Sequence, residues 1–131
     1  LVEVEDGAVY VDQDGGVSRI DEQGRSTFLG QGDPVQGVVG SVDGSRIAWR
    51  EPTTGDLVVH DLARDEEVGR VGGTGLEPVA IDGDRLFYNS LSGSFVVVLP
   101  DGEPQLVERL PLLDVRAGTL LFQTDAAHLR L

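Results

Sequence analysis

The same short motif returns four times along this chain. Asp6-Gly7-Ala8-Val9-Tyr10-Val11, Asp43-Gly44-Ser45-Arg46-Ile47-Ala48-Trp49, Asp82-Gly83-Asp84-Arg85-Leu86-Phe87-Tyr88 and Ala117-Gly118-Thr119-Leu120-Leu121-Phe122 each join a turn glycine to an apolar run ending in a large side chain. The glycines stand 37, 39 and 35 residues apart (44 − 7, 83 − 44, 118 − 83). Spacing in this range marks a repeat architecture, in which one small unit cannot bury its own apolar face and stacks on its neighbours.

Helical periodicity is nearly absent. Short runs rich in Val, Ile, Leu and aromatics alternate with Gly, Asp, Pro and Ser clusters, which is the pattern of strands and turns. The second repeat reads most clearly, with strands over Gln36 to Val42, Arg46 to Arg50, Asp56 to Leu62 and Glu67 to Val71. The third gives Glu77 to Ile81, Arg85 to Asn89, Ser94 to Leu99 and Gln105 to Leu110. The first gives Val2 to Val4, Ala8 to Asp12, Val17 to Asp21 and Ser26 to Leu29. A partial repeat offers Leu113 to Val115, Thr119 to Gln123 and His128 to Leu131.

Four-stranded meanders at this period predict an all-β fold: a β-propeller arc of about three and three-quarter antiparallel blades forming one segment, residues 1–131. The blades run over 1–30, 36–71 and 77–110, with a partial one over 112–131. Other all-β folds also carry many short strands, but need not repeat their motif residues. Val11, Trp49, Tyr88 and Phe122 align near the end of the second strand, where a bulky side chain would wedge between neighbouring sheets. The polar residues that follow, Asp12, Arg50, Asn89 and Gln123, mark where packing ends and solvent begins.

The run Ser41-Val42-Asp43-Gly44-Ser45-Arg46-Ile47-Ala48-Trp49, with Leu57-Val58-Val59-His60-Asp61-Leu62-Ala63 after it, resembles the WD-like propeller repeats of the TolB type. The third repeat matches at Asp82-Gly83 through Leu86-Phe87-Tyr88. The first and fourth match less well, and the Ser-Pro of the family pattern is missing throughout. The resemblance covers most of the chain and implies a scaffold with no chemistry of its own. It implies a binding platform, with an extracytoplasmic or cell-surface setting. Propeller domains attached to peptidases or hydrolases are its other implication, and their catalytic residues would lie outside this chain.

Closure constrains the reading further. Propellers close with about four to eight blades, so an arc of this size would expose apolar faces and a strand edge. With no Met and a first residue Leu1, the chain reads as a segment of a longer propeller; two copies completing one ring is the alternative, and a small closed fold a third.

Composition narrows the partners. There are 23 acidic residues against 10 basic, all Arg, for a net charge of −13. Such a surface repels phosphate backbones, which argues against nucleic acid and favours proteins or peptides with basic patches. No apolar run approaches the roughly 20 residues of a membrane span. Without Cys there is neither disulfide nor thiol chemistry.

The motifs that could carry chemistry read better as structure. Asp12-Gln13-Asp14-Gly15-Gly16 opens like a calcium loop, but its twelfth position is Gln23 where a bidentate Glu belongs, so it predicts a hairpin turn. His60 and Asp61 are adjacent in a strand and point to opposite faces, which forbids a directed dyad. His60 is expected between sheets, Asp61 as a turn cap, and His128 near Asp125 in solvent. The glycine runs Gly30-Gln31-Gly32-Asp33-Pro34 and Gly72-Gly73-Thr74-Gly75 precede no helix and lack a following Lys, unlike phosphate loops. No Gly-x-Ser-x-Gly is present. No catalytic, cofactor or metal residue is therefore assigned.

The glycine runs fit the loops between repeats, sharing a rim with the turns at Glu51–Gly55, Ser90–Gly93 and Thr124–Ala127. Loops on a rigid scaffold are where binding concentrates. The candidate partner-binding residues on that rim are Asp12, Arg50, Glu51, Asn89 and Gln123.

Overall fold

A computed structural model describes residues 2–116 and 119–122. Strands make up the fold, with no helix among the described residues, and they form four antiparallel sheets, none closed on itself. The first sheet is β1 (Val2–Val4), β2 (Gly7–Val11), β3 (Gly16–Asp21) and β4 (Ser26–Gln31). The second is β5 (Val38–Gly40), β6 (Arg46–Arg50), β7 (Leu57–Asp61) and β8 (Glu66–Val71). The third is β9 (Glu77–Asp82), β10 (Arg85–Ser90), β11 (Gly93–Val98) and β12 (Gln105–Glu108). The fourth pairs β13 (Leu112–Arg116) with β14 (Thr119–Phe122). In every sheet the strands neighbour one another in chain order. The predicted third strand of the last repeat, His128 to Leu131, lies outside the described residues.

Most strand ends move by a residue or two from the sequence reading. The largest change is at Gln36 to Val42, where only β5 pairs. Asp33 takes the N–H groups of Val35 and Gln36 and makes the chain before β5 a turn. Ser41 closes the other end: its Oγ accepts the N–H groups of Ser45 and Arg46 and donates to Asp43 at 2.7 Å.

The sheets stack face to face through two apolar layers. Val9 and Val17 of the first sheet meet Ile47, Trp49, Val58 and Leu62 of the second. Ala48, Leu57 and Val59 on the opposite face of the second sheet meet Ile81, Leu86, Tyr88 and Val97 of the third. β6 therefore buries Ile47, Ala48 and Trp49 in succession, because the second sheet is covered on both faces. A side chain the size of Ile47 contributes about 1.5–3 kcal/mol on leaving water. The first strands of successive sheets lie beside one another, β1 by β5, β5 by β9 and β9 by β13. Ser41 and Ile81 form a parallel bridge, so the chain at the end of β5 runs in the same direction as β9.

The aromatic column needs one correction. Trp49 faces Val58 across its hairpin and Tyr88 faces Phe95, and the residue so placed in the first sheet is Tyr10, opposite Ser18, rather than Val11. The cause is the first turn. Its two residues are Glu5 and Asp6, with Asp6 at φ 62°, whereas the corresponding turn of the third sheet is Gly83-Asp84 with Gly83 at φ 63°. Gly7 thus enters the strand, where a Cβ would collide with the Ile20 carbonyl oxygen. Its glycine serves a close approach and not a turn.

Candidate functional site

The β2–β3, β6–β7 and β10–β11 turns share one rim with the loops between sheets. Gly32 donates its N–H to Gly15 at 2.7 Å, and Gln31 Nε2 donates to the Asp14 carbonyl at 2.6 Å. Gln36 Nε2 donates to the Leu76 carbonyl at 3.3 Å, linking the loops that enter the second and third sheets.

Of the rim residues singled out from sequence, Asp12, Arg50, Glu51 and Asn89 occupy separate places along it, each bonded within the chain. Asp12 Oδ1 accepts the N–H groups of Asp14 and Gly16, both at 2.9 Å, and forms the hairpin turn. Arg50 Nη1 lies 3.3 Å from Asp33 Oδ2, tying β6 to the loop before β5. Glu51 shares Arg70 with Asp56 and Glu67; the three carboxylates lie 2.8–3.0 Å from its guanidinium. Arg70's hydrogen bonds hold the Glu51 carboxyl below its usual range, while Glu67 above all keeps Arg70 protonated. Asn89 pairs with the backbone of Leu112. Gln123 lies outside the described residues.

Between the second and third sheets the rim opens into a cleft of about 420 Å³. Leu76, Tyr88 and Phe95 form its apolar floor, Thr74, Ser90 and Ser92 its hydroxyl-bearing walls. The Tyr88 and Phe95 rings stack with centroids 5.6 Å apart, and burial pushes the Tyr88 phenol above its usual pKa. Leu91, 84% exposed, stands at the lip. Gly73 lies close over Leu76, which stands 3.1 Å from where its Cβ would be, and Asp56 lies 3.4 Å from where a Gly72 Cβ would be, placing a carboxylate next to the cleft. Sequence reasoning reached the turn Ser90–Gly93 but not the cleft. Its signal was Leu91, a large apolar residue inside a serine-rich turn.

Measured against family models, curated proteins and solved structures, the chain matches none.

Several other polar groups are bonded within the fold. His60 is buried against Trp49, ring centroids 5.9 Å apart, and its Nε2 meets Asp65 at 3.0 Å. Asp61 caps the following turn through the Arg64 N–H. On the opposite rim a polar hollow holds Arg19, Asp21 and Arg25. There Arg19 donates to the carbonyls of Glu5 and Leu62 and clamps the first two sheets together. Asp21 accepts the N–H groups of Gln23 and Arg25, and the Arg25 N–H is the main reason its carboxyl pKa is lowered. Among the described residues no helix is long and apolar enough to cross a membrane.

Proposed function

We propose that the sheets are successive blades of a β-propeller of the WD-like, TolB-type kind, and that the chain is a non-enzymatic platform for a protein or peptide. The adjacent first strands, with a parallel bridge between the second and third sheets, support the blade reading, since propeller blades converge through their inner strands around one axis. The cleft floored by Leu76, Tyr88 and Phe95 carries the binding reading. It fits an apolar side chain, its hydroxyl walls can bond a peptide backbone, and Asp56 beside it favours a neighbouring Arg or Lys.

The test is selection of peptides from a displayed library on the wild-type chain, followed by titration against Leu91→Glu. Peptides combining an apolar and a basic residue are expected, with affinity falling at least tenfold in the variant. Binders indifferent to Leu91→Glu would move the site elsewhere. An enzyme-associated propeller, with catalytic groups outside this chain, is the second reading; an α/β-hydrolase region on the same polypeptide would favour it.

A further inference from the structure

Two rings hold the same place in successive sheets, yet the space beside them is filled differently. Trp49 faces Val58 across its hairpin and Tyr88 faces Phe95, at matching positions of the second and third sheets. The edges they meet on the preceding sheets also match. Gly30 lies opposite Val17 near the end of β4, and Val71 lies opposite Leu57 at the end of β8, so Gly32 and Gly73 correspond. In the first gap the indole of Trp49 runs along this edge. A Cβ at Gly30 would stand 2.7 Å from its Cζ2, and one at Gly32 would stand 3.4 Å from its Cδ1. In the second gap the buried Val71 side chain takes the place that Gly30 leaves bare, and the single ring of Tyr88 stands in place of the double one. There Gly73 borders the cleft of about 420 Å³. The cleft thus lies along the edge that an indole covers one sheet earlier.

Its chemistry suits the same group. Phe95, half-buried and stacked on Tyr88 with centroids 5.6 Å apart, presents a ring against which a third can pack. The hydroxyls of Ser90 and Ser92 bond each other at 3.1 Å, and their remaining lone pairs can accept an N–H. That acceptor separates an indole from a phenyl ring or an aliphatic chain. Asp56, on the flank, shares the Arg70 guanidinium with Glu51 and Glu67, three carboxylates to one cation, so the adjoining charge is negative.

We propose that the cleft reads tryptophan: a peptide partner seats an indole against Phe95, with an Arg or Lys beside it facing Asp56. The inference rests on the platform reading and narrows its ligand from any apolar side chain to one.

Blocked single amino acids test it, because they carry the side chain without a peptide's other contacts. The chain is titrated with N-acetyl-tryptophanamide and with its phenylalanine and leucine counterparts, backbone amides being followed by NMR. The tryptophan compound is expected to shift Gly73, Leu91 and Ser92 and to bind about fivefold tighter than either counterpart. Val71→Gly combined with Tyr88→Trp copies the first gap into the second, and should weaken that binding at least tenfold. If the pair unfolds, Phe95→Leu replaces it and should abolish the preference for tryptophan. Equal binding of the three compounds, no shift at the cleft, or a preference kept in the folded variant would overturn the proposal. Displayed peptides that still bind at the Leu91 lip while the tryptophan compound fails would sink the indole reading and leave the platform standing. Failure of both would remove the two together.

Discussion

The side-chain amide of Asn89 takes both backbone groups of Leu112. Its Nδ2 donates to the Leu112 carbonyl at 2.8 Å, and the Leu112 N–H donates to its Oδ1 at 2.7 Å. One side chain thus pairs as a strand would, holding the buried Leu112 and the start of β13 to the third sheet. Asn89→Ala removes both bonds and should cost about 1–3 kcal/mol. Asn89→Asp keeps an acceptor for the Leu112 N–H but offers its carbonyl no donor at neutral pH. Amide exchange at Leu112 should speed up in both variants, more in Ala; unchanged protection would show that the clip does not hold the fourth sheet.

Trp49 sits at 3% exposure between the first two sheets. Trp49→Ala should destabilise the chain by about 3–5 kcal/mol in denaturant melts. The complementary test adds bulk: a Cβ at Gly30 would stand 2.7 Å from the Trp49 ring, so Gly30→Ala should cost about 1–3 kcal/mol by overpacking. Near-neutral results in both would mean that the ring does not fill this layer.

Asp43 is surrounded by donors: the hydroxyls of Ser41 and Ser45, then the Ser45 N–H, lower its carboxyl from 3.8 to about 2. A group lowered on folding adds stability above its unfolded pKa. That contribution should therefore be complete above the ordinary carboxylate range and decline as pH falls through 3.8 toward about 2. Melting temperature followed across this window should fall more steeply in wild type than in Asp43→Asn. A carboxyl titrating near 3.8 by NMR would refute the bonded turn.

Asp12 uses its carboxylate as a hydrogen-bond acceptor within the turn. Asn offers the same oxygen, so Asp12→Asn should change stability by less than about 0.5 kcal/mol, whereas Asp12→Ala should lose about 1 kcal/mol. Added calcium should leave the melting temperature unchanged in all three proteins. A calcium-dependent rise abolished in the Asn variant would make Asp12 a ligand.

Much of the local order was legible because its causes are local. Runs such as Arg46–Arg50 and Arg85–Ser90 alternate with acidic-glycine turns, and both strand and hairpin follow from residues a few positions apart. Asp12 was readable as a turn residue for the same reason. The candidate site was legible only as a rim. Nothing in the spacing of Thr74, Leu76, Tyr88 and Phe95 announces a cleft, since loop and strands meet only after two sheets stack.

Local pattern alone makes the chain β-rich, makes its hairpins recur, and places Trp49 and Tyr88 in apolar layers. Those properties depend on alternation, turn chemistry and burial preference, which are carried by neighbouring residues. Strand pairing in the folded chain makes Tyr10 and not Val11 complete their column, because register is set by cross-strand partners such as Ser18. Folding likewise brings Arg50 to Asp33 and Asn89 to Leu112. Each of those depends on which distant surfaces come into contact, a relation that no local pattern encodes.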